Sequence, residues 1–361
     1  EPEILNIDEK DLNLFIKENS LYEHFIKNLL RIKKYVLSPE LEKILADVSQ
    51  LANAPDNIFV MLNNADINFG KIKTPDGVEI ELTHGKFISL MESNDRDLRK
   101  RVFDLYYTAY QKQKNTIAAI YSSSVKSDIF FSRTRKFKSS LSQALFSHNI
   151  PESVYFNLIE TVNKYLPVLH EYISLRKKIL GLSELHMYDI YVPIVSEIDT
   201  QISFEQAKET VKKALAPLGD DYISELENAF KSYWIDVYEN KGKRSGAYSW
   251  GSYGCHPYVL LNFDGKTDDM FTLAHEMGHA MHSFYSWKNQ PYLYSNYTIF
   301  LAEIASTVNE SLLMQYLLKT TEDKKFKAYL INYFLEQFRR TLYRQTMFAE
   351  FEMQTHDMAE K

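Results

Sequence analysis

Residues 275–279 read His-Glu-Met-Gly-His, and no other stretch constrains the fold of this chain as strongly. In an α-helix, residues four positions apart lie on one face, about 6 Å apart along the axis. At that spacing His275 and His279 can bind one metal ion, while Glu276 can hold a water rather than the metal. The motif therefore predicts a helix with a zinc site of hydrolytic type, in which Glu276 is the general base. The alternative is a buried pair of structural histidines.

The flanking sequence predicts where this helix begins and ends. Gly265 lies in a loop, and Thr267 or Asp268 can cap the first turn. Apolar residues continue at helical spacing as far as Trp287, and Pro291 then stops the pattern. We therefore expect the motif to lie inside a well-bounded helix.

A catalytic zinc ion takes three protein ligands and keeps one position open, so one ligand must come from elsewhere. Residues 299–314 form an apolar helical pattern whose only acids are Glu303 and Glu310, on one face. We expect this face to be buried, and buried carboxylates are costly unless they are paired or bound to a cation. Spacing alone does not rank the two, and an ordinary salt-bridged or solvated face is the alternative.

The loop over residues 289–296 favours Glu303 as the third ligand. It lets the second helix fold back antiparallel on the first, so the nearer acid faces the ion. Glu310 would then accept the N–H of a ligand histidine. His282 lies roughly 10 Å along the axis from His275, which is too far to share the ion, and a partly buried position is expected for it.

These residues resemble the thimet-oligopeptidase family of zinc peptidases, in particular its oligoendopeptidase F branch. The matching segments cover residues 242–249, 257–262, 275–283, 303–307 and 309–310. The resemblance extends over essentially the whole chain. It implies one zinc ion per chain, held by His275, His279 and Glu303, with Glu276 as the base. It also implies a mainly α, multi-helix zincin-type peptidase with a small β element near the zinc helix, and a channel between helical lobes that admits short unfolded peptides.

The ends of the chain depart from the family pattern. The sequence opens with Glu1-Pro2 and closes at Glu360-Lys361 inside a helical pattern. Members of the family continue into a C-terminal segment whose His and Tyr residues stabilise the oxyanion. We therefore expect an internal fragment with that part of the catalytic domain missing. Tyr343, a lone tyrosine on an amphipathic pattern, is expected to pack rather than to replace those residues.

Composition limits the class of protein and its partners. The 361 residues carry a net charge of −6, which argues against nucleic acid as a partner because such binding needs a basic face. The sequence contains no run of about 18 apolar residues, so no membrane-spanning helix is predicted. The single cysteine, Cys255, suits a reducing compartment, so a cytoplasmic location is expected. Cys255 is expected to be a small buried side chain rather than a ligand.

Periodicity divides the chain into three parts. Residues 1–68 show helical spacing, and the resemblance implies that they form a helical oligopeptidase F N-terminal region. Residues 69–86 alternate around Pro75-Asp76-Gly77, which predicts a hairpin linker. The resemblance implies that residues 87–361 form the zinc peptidase catalytic domain, with its C-terminal part missing.

Local signals within this third part predict further elements. One long helix should run from Asp95 through Tyr121. Another should begin near Pro151, with Asn149 as its cap. A strand or irregular link is expected at 186–194, and a further strand within 246–263.

The motif predicts a metalloprotease that acts through a zinc-activated water. The resemblance implies that it is a zinc endopeptidase that hydrolyses internal bonds of short unstructured oligopeptides. A strand near the metal would let a peptide backbone pair with it, whatever the peptide sequence. Two alternatives remain open. One is a metallo-exopeptidase, which needs a charged group to hold a free terminus. The other is a catalytically incomplete helical fragment that binds peptides. The sequence leaves the oligomeric state unknown.

Overall fold

The computed structural model describes residues 2–195 and 201–361. The chain forms two compact units, one made of Glu1–Ile194 with Arg339–Lys361 and the other of Val195–Phe338. We call them unit 1 and unit 2. Within the described residues, no helix is both long enough and apolar enough to cross a membrane.

Helices and strands are numbered along the chain. The helices are α1 (Pro2–Leu5), α2 (Glu9–Glu18), α3 (Glu23–Lys33), α4 (Pro39–Ala52), α5 (Ala54–Met61), α6 (His84–Met91), α7 (Arg96–Lys112), α8 (Lys114–Thr134), α9 (Ser140–Phe146), α10 (Glu152–Lys164), α11 (Leu166–Ile179), α12 (Phe204–Leu215), α13 (Asp220–Lys231), α14 (Thr267–Asn289), α15 (Ile299–Thr320), α16 (Lys324–Gln337) and α17 (Arg344–Glu360). The strands are β1 (Lys71–Lys73), β2 (Glu79–Glu81), β3 (Ile235–Asp236), β4 (Tyr248–Trp250) and β5 (Tyr258–Leu260). Helical turns of π type follow α5, over Leu62–Asp66, and α16, over Phe338–Tyr343. The predicted mainly α architecture with a small β element is confirmed.

The predicted hairpin in unit 1 is present. Strands β1 and β2 pair antiparallel, with Ile72 opposite Ile80. Gly77 takes a positive φ of 86° in the turn between them, a conformation that glycine adopts at little cost. Ile72 and Leu82 are buried in a cluster with α6 and α7, so the hairpin is part of the core of unit 1.

Two helix predictions in unit 1 were wrong. The expected single helix over 95–121 is two helices, because the backbone leaves helical geometry at Gln113. Asn149 does not cap α10. It takes a left-handed φ of 54°, which asparagine tolerates better than most residues, and the cap position falls to Pro151.

The link at 186–194 contains a short 3₁₀ turn, Met187–Asp189, rather than a strand. The Asp189 carboxylate is fully buried and accepts hydrogen bonds from Arg99 at 2.8 Å and from Arg96 at 3.0 and 3.1 Å. Burial opposes ionisation of Asp189, yet the bonds from the arginines and from the His186 N–H outweigh it and lower its pKa. This ion pair joins the link to the start of α7.

Helix α17, from the second segment of unit 1, packs against helices α8 and α10. The Tyr155 hydroxyl donates to the Ala349 carbonyl at 2.7 Å, and His356 lies 3.1 Å from the Asp128 carboxylate. Just before α17, Tyr343 is half-buried and its hydroxyl donates to the Tyr165 carbonyl at 3.0 Å, which agrees with the packing role expected for it.

Unit 2 is built around α14, α15 and a three-stranded sheet. Strand β5 is central, parallel to β3 and antiparallel to β4. The loop after α14 turns the chain back, and α15 runs antiparallel to α14. Ala274 lies beside Asn309, and Ser283 beside Tyr297. Helix α14 contributes many fully buried side chains to this core, among them Phe271, Leu273, Met277 and Met281.

Candidate metal centre

Helix α14 carries the motif, and it begins earlier than a cap at Thr267 or Asp268 would allow. Thr267 is the first helical residue, and Lys266 occupies the cap position. The Asp269 carboxylate accepts the backbone N–H groups of Asp264 and Lys266 at 3.0 and 2.9 Å. The bond to Lys266 is one half of a capping box, because Asp269 is the third helical residue and reaches back to the N–H of the cap residue. The cap therefore lies at Lys266 and not at Thr267 or Asp268. The helix ends at Asn289, before Pro291 as predicted.

His275 and His279 lie on one face of α14 with their Nε2 atoms 3.1 Å apart. The Nδ1–H of His275 donates to the Glu310 carboxylate at 2.5 Å. In the neutral ring this bond keeps the proton on Nδ1 and leaves the Nε2 lone pair free. Both Nε2 atoms therefore face the same small volume, as two ligands of one ion would.

Glu303 on α15 reaches this volume from the opposite side. Its Oε2 atom lies 3.4 Å from the Nε2 of His275 and 3.4 Å from the Nε2 of His279. The Ser306 hydroxyl donates to the same oxygen at 2.7 Å. Among the described residues, these two histidines and Glu303 form a cluster whose possible ligand atoms all lie within 4.8 Å of one another.

The expectation that Glu303 is buried was wrong. Its side chain is 63% exposed, and Ile299, Phe300 and Ile304 around it are also exposed. The apolar pattern of residues 299–314 thus does not mark a buried face at its start. Glu310, two turns later, is only 16% exposed.

Glu276 points into the protein beside the two histidines. It is 7% exposed, and its Oε2 atom is buried without a hydrogen-bond partner. Burial raises the pKa of Glu276. His275 and the Ser249 backbone N–H oppose that shift, while the negative charges of Glu303 and Glu310 add to it. A buried, unsatisfied carboxylate oxygen is costly, so this atom is suited to bind a water or a substrate group.

The two histidines differ in their electrostatic surroundings. Burial alone would lower the pKa of His275, but the bond to Glu310 and the nearby carboxylates outweigh it and raise that pKa. For His279, burial dominates and its pKa is lowered, despite the carboxylate of Glu303. His279 is thus held neutral, the state in which an imidazole binds a metal.

Gly278 allows the two helices to cross closely at the site. A Cβ atom at this position would lie 2.6 Å from the Ser306 Cα and 2.8 Å from the Ala305 carbonyl oxygen. Real Cβ contacts are not this short, and both neighbours are backbone atoms. The motif's glycine therefore sets the separation at which Glu303 reaches the histidines.

Two further side chains hold the helices together, and neither was predicted from the sequence. The buried Asn309 amide donates to the Ala274 carbonyl at 3.0 Å and contacts the Tyr222 hydroxyl. Gln337 on α16 donates to Glu310 at 2.5 Å. A buried asparagine in an apolar helix is a signal that sequence reasoning could have used. Gln337 lies in another helix and offers no comparable local signal.

His282 and Cys255 are separate from the three-residue cluster. The His282 ring stacks on Tyr297 at 3.6 Å between ring centres, and burial lowers its pKa. Cys255 is exposed, so the expectation of a buried side chain was wrong. It lies in the connection between β4 and β5, where its N–H donates to the Ser252 carbonyl, and this turn keeps it outside the core.

The residues present fit a zinc ion. Two imidazole nitrogens and one carboxylate oxygen are the ligand set of many catalytic zinc sites, which leave a fourth position open. The orphaned Oε2 of Glu276 beside them adds a proton acceptor. All of these residues lie within unit 2.

Known proteins with similar sequences include peptidases. The sequence profile of peptidase family M3 matches residues 89–361, and that of oligopeptidase F matches residues 3–69. Oligopeptidase PepF of Bacillus subtilis is 49% identical over all of this chain and 54% of its own length. Group B oligopeptidase PepB of Streptococcus agalactiae is 44% identical over 99% of this chain and 60% of its own length.

Solved structures give the same result. The crystal structure of oligoendopeptidase-F from Enterococcus faecium has a TM-score of 0.78 at 35% identity, and covers 99% of this chain and 58% of that one. A Chlamydophila abortus protein has a TM-score of 0.91 at 35% identity, over 99% of this chain and 60% of the other. The chain thus spans 54–60% of the length of the curated relatives named above. Because the M3 profile matches most of its residues, the chain belongs to peptidase family M3.

Proposed function

We propose that this chain carries the zinc centre of an endopeptidase that hydrolyses internal bonds of short, unstructured peptides. The observation that carries the proposal is the meeting of the His275, His279 and Glu303 ligand atoms within 4.8 Å. The unpartnered carboxylate oxygen of Glu276 beside them supports it. The family membership and the names of the relatives support a peptidase acting on oligopeptides.

His275, His279 and Glu303 would hold one zinc ion per chain. When bound, such an ion supplies Lewis acidity, which lowers the pKa of water and polarises a carbonyl group. Glu276 Oε2 accepts a proton from the attacking water and passes it to the leaving amine nitrogen. The raised pKa of Glu276 suits this role, since proton transfer is most efficient when the pKa of the base approaches the working pH.

Strand β4 offers a means of holding a peptide without reading its sequence. Within the described residues, β4 pairs only with β5, so its other edge can accept a peptide backbone. Its middle residue, Ser249, lies next to the general base, as its effect on the pKa of Glu276 indicates. A peptide paired there would run past Glu276, which favours cleavage of an internal bond.

Domain roles and location also enter as proposals. We assign residues 87–361 to the catalytic part of the peptidase, residues 1–68 to its N-terminal region and residues 69–86 to a hairpin linker. The two profile matches, over 3–69 and 89–361, support these boundaries. A single cysteine supports a reducing compartment such as the cytoplasm.

The direct test is Glu276→Gln. The variant should keep zinc, measured by emission spectroscopy, and lose at least about 100-fold in turnover, the contribution typical of a general base. Glu322→Gln, in the exposed loop before α16, is the matched control and should leave turnover unchanged. Full activity in Glu276→Gln would refute the assigned mechanism.

The substrate should be a peptide blocked at both ends, with turnover followed by mass spectrometry. Cleavage of this peptide supports an endopeptidase, because no free terminus is available. If only a peptide with free ends is trimmed, the enzyme is an exopeptidase. Zinc and peptide binding without cleavage of either peptide would favour a binding role for this chain.

A further inference from the structure

A chain of hydrogen bonds joins three helices and ends on one of the histidines. The Gln337 side-chain amide donates to Glu310 Oε2 at 2.5 Å, and His275 Nδ1 donates to Glu310 Oε1 at 2.5 Å. Both oxygens of Glu310 are therefore engaged, one by α14 and the other by α16. Nothing in the proposed function so far assigns a role to Gln337.

The orientation of the Gln337 amide follows from this chemistry. An ionised carboxylate only accepts hydrogen bonds, so the NH₂ end of the amide must face Glu310. The donor is neutral, so it restrains the carboxylate without cancelling its charge. That charge is then left to act on His275, where it strengthens the ring as a ligand.

Helix α16 is anchored where it can hold this amide in place. Leu330 is fully buried, and the Tyr333 ring stacks on Phe271 of α14 at 4.7 Å. The Tyr333 hydroxyl donates to Asp268 at 2.8 Å. Gln337 lies four residues after Tyr333, on the same helical face. The packing that holds Tyr333 against α14 thus also aims Gln337 at Glu310.

Gln337 is also the last residue of α16 before the π-helical turns at Phe338–Tyr343. Such turns change the direction in which the following side chains point, and they occur often at functional sites. Gln337 is therefore the last residue on the Tyr333 face of α16 that still follows α-helical spacing.

We propose that Gln337 is a positioning residue that sets the zinc affinity of the centre through Glu310 and His275. This inference rests on the proposed zinc site and names a residue outside the ligands that controls it. By holding Glu310 in a single orientation, Gln337 keeps the His275 Nδ1–H bonded and its Nε2 aimed at the ion. Without the amide, Glu310 can rotate, and His275 loses part of this constraint.

The test uses the purified chain and zinc alone. Gln337→Met keeps the length of the side chain and removes the donor. Its zinc dissociation constant, from competition with a chromophoric chelator, should rise about tenfold, the lower end of the range for groups that orient metal ligands. Gln337→Asn, which is one methylene too short to reach, should give a change in the same direction.

The control and the coupling experiment separate positioning from general stability. Gln354→Met removes another amide that donates to a glutamate, Glu350, at 3.3 Å on an exposed helix, and should leave zinc affinity unchanged. In a Glu310→Ala background, Gln337→Met should change the dissociation constant less than twofold, because the route to His275 is gone.

The possible failures are distinguishable. If the unmodified chain does not bind zinc, the proposed function itself fails. If it binds zinc and both Gln337 variants bind it equally well, only the role of Gln337 is overturned. A lowered melting temperature with unchanged zinc affinity would likewise overturn it, as would an effect of Gln337→Met that persists without Glu310.

Discussion

Gly278 shows how much a single residue can control at this site. Its missing side chain lets the backbone of α15 approach α14, with Ser306 directly opposite. Glutamate has a short reach, so the distance between the helices decides whether Glu303 touches the Nε2 atoms of His275 and His279. The glycine between His275 and His279 thus shapes the candidate site without supplying a ligand atom.

We expect Gly278→Ala to push the helices apart. The added methyl group meets backbone, so the strain cannot be relieved by rotating a side chain. Overpacking of this kind costs about 1–3 kcal/mol of unfolding free energy, measurable by urea denaturation. Zinc affinity should fall as well. Gly85→Ala in α6 is the control, because a Cβ there meets nothing within 4 Å. Equal effects of the two substitutions would contradict this explanation.

Local spacing made the relative positions of these residues predictable from the sequence. The helical period alone brought His275 and His279 to one face, and the short loop before α15 brought Glu303 opposite them. The apolar pattern predicted burial wrongly for Glu303, because such a pattern does not reveal which turns of a helix another element covers. Gln337 lies 62 residues after His275 in the sequence, and only tertiary packing brings it to Glu310.

At the scale of elements, buried polar contacts fix how segments join. The link at 186–194 has little regular structure, yet Asp189 ties it to the first turns of α7 through Arg96 and Arg99. The short 3₁₀ turn carries no strand pairing that could hold it. The buried ion pair therefore determines the position of this link within unit 1.

We expect Asp189→Asn to destabilise unit 1 strongly. Removing one partner leaves a buried guanidinium group without its counter-charge, which costs about 3–5 kcal/mol of unfolding free energy. Glu209→Gln, which breaks an exposed pair with Lys212 on α12, should leave stability almost unchanged, because water screens exposed ion pairs. Denaturation curves of both variants provide the measurement. A loss below 1 kcal/mol for Asp189→Asn would show that water reaches the arginines.

Element boundaries were less predictable than element types. Neither Gly nor Pro marks Gln113, where the expected long helix divides into α7 and α8. At Asn149 the sequence allowed two outcomes, a cap or a left-handed residue, and local preference does not choose between them. Cap chemistry was also ambiguous in α14, where the cap position fell to Lys266, whose N–H bonds with the Asp269 carboxylate.

At the scale of the whole molecule, the candidate centre lies in one of two compact units. Every ligand candidate, the general base and the Glu310–Gln337 pair belong to Val195–Phe338. Any ligand that binds only the folded state stabilises it by mass action. The effect of zinc should therefore be concentrated in the unit that contains the site.

Hydrogen exchange measures this localisation. With zinc at 100 times its dissociation constant, the folded site gains about 2.7 kcal/mol, so amides in α14 and α15 should exchange more slowly. Amides in α7 and α8 should be unaffected, and a chelator should reverse the change. A uniform slowing throughout the chain would contradict the assignment of the site to unit 2 alone.

Acidity should act on unit 1 through His356. Burial lowers the pKa of this ring, but the Glu352 carbonyl and the Asp128 carboxylate outweigh it and raise the pKa. The stabilisation is therefore complete below the unfolded pKa of about 6.5 and disappears as pH rises through the folded value.

We expect His356→Gln to cost up to about 1 kcal/mol at pH 5.5, as for pairs near the surface, and less at pH 8.5. Asp128→Asn should reproduce the same pH dependence, because it removes the other partner. Urea denaturation at the two pH values is the measurement. A cost for His356→Gln that grows with pH would reverse the sign and refute the assignment.

Unit 1 is discontinuous, with helix α17 packed against α8 and α10 from far along the chain. During synthesis on a ribosome, residues 195–338 emerge before α17, the helix that packs against α8 and α10. The N-terminal segment of unit 1 therefore lacks one of its packing helices until α17 has been synthesised, and incomplete packing of this kind exposes apolar surface. Chaperone engagement during translation should consequently be strongest over that interval.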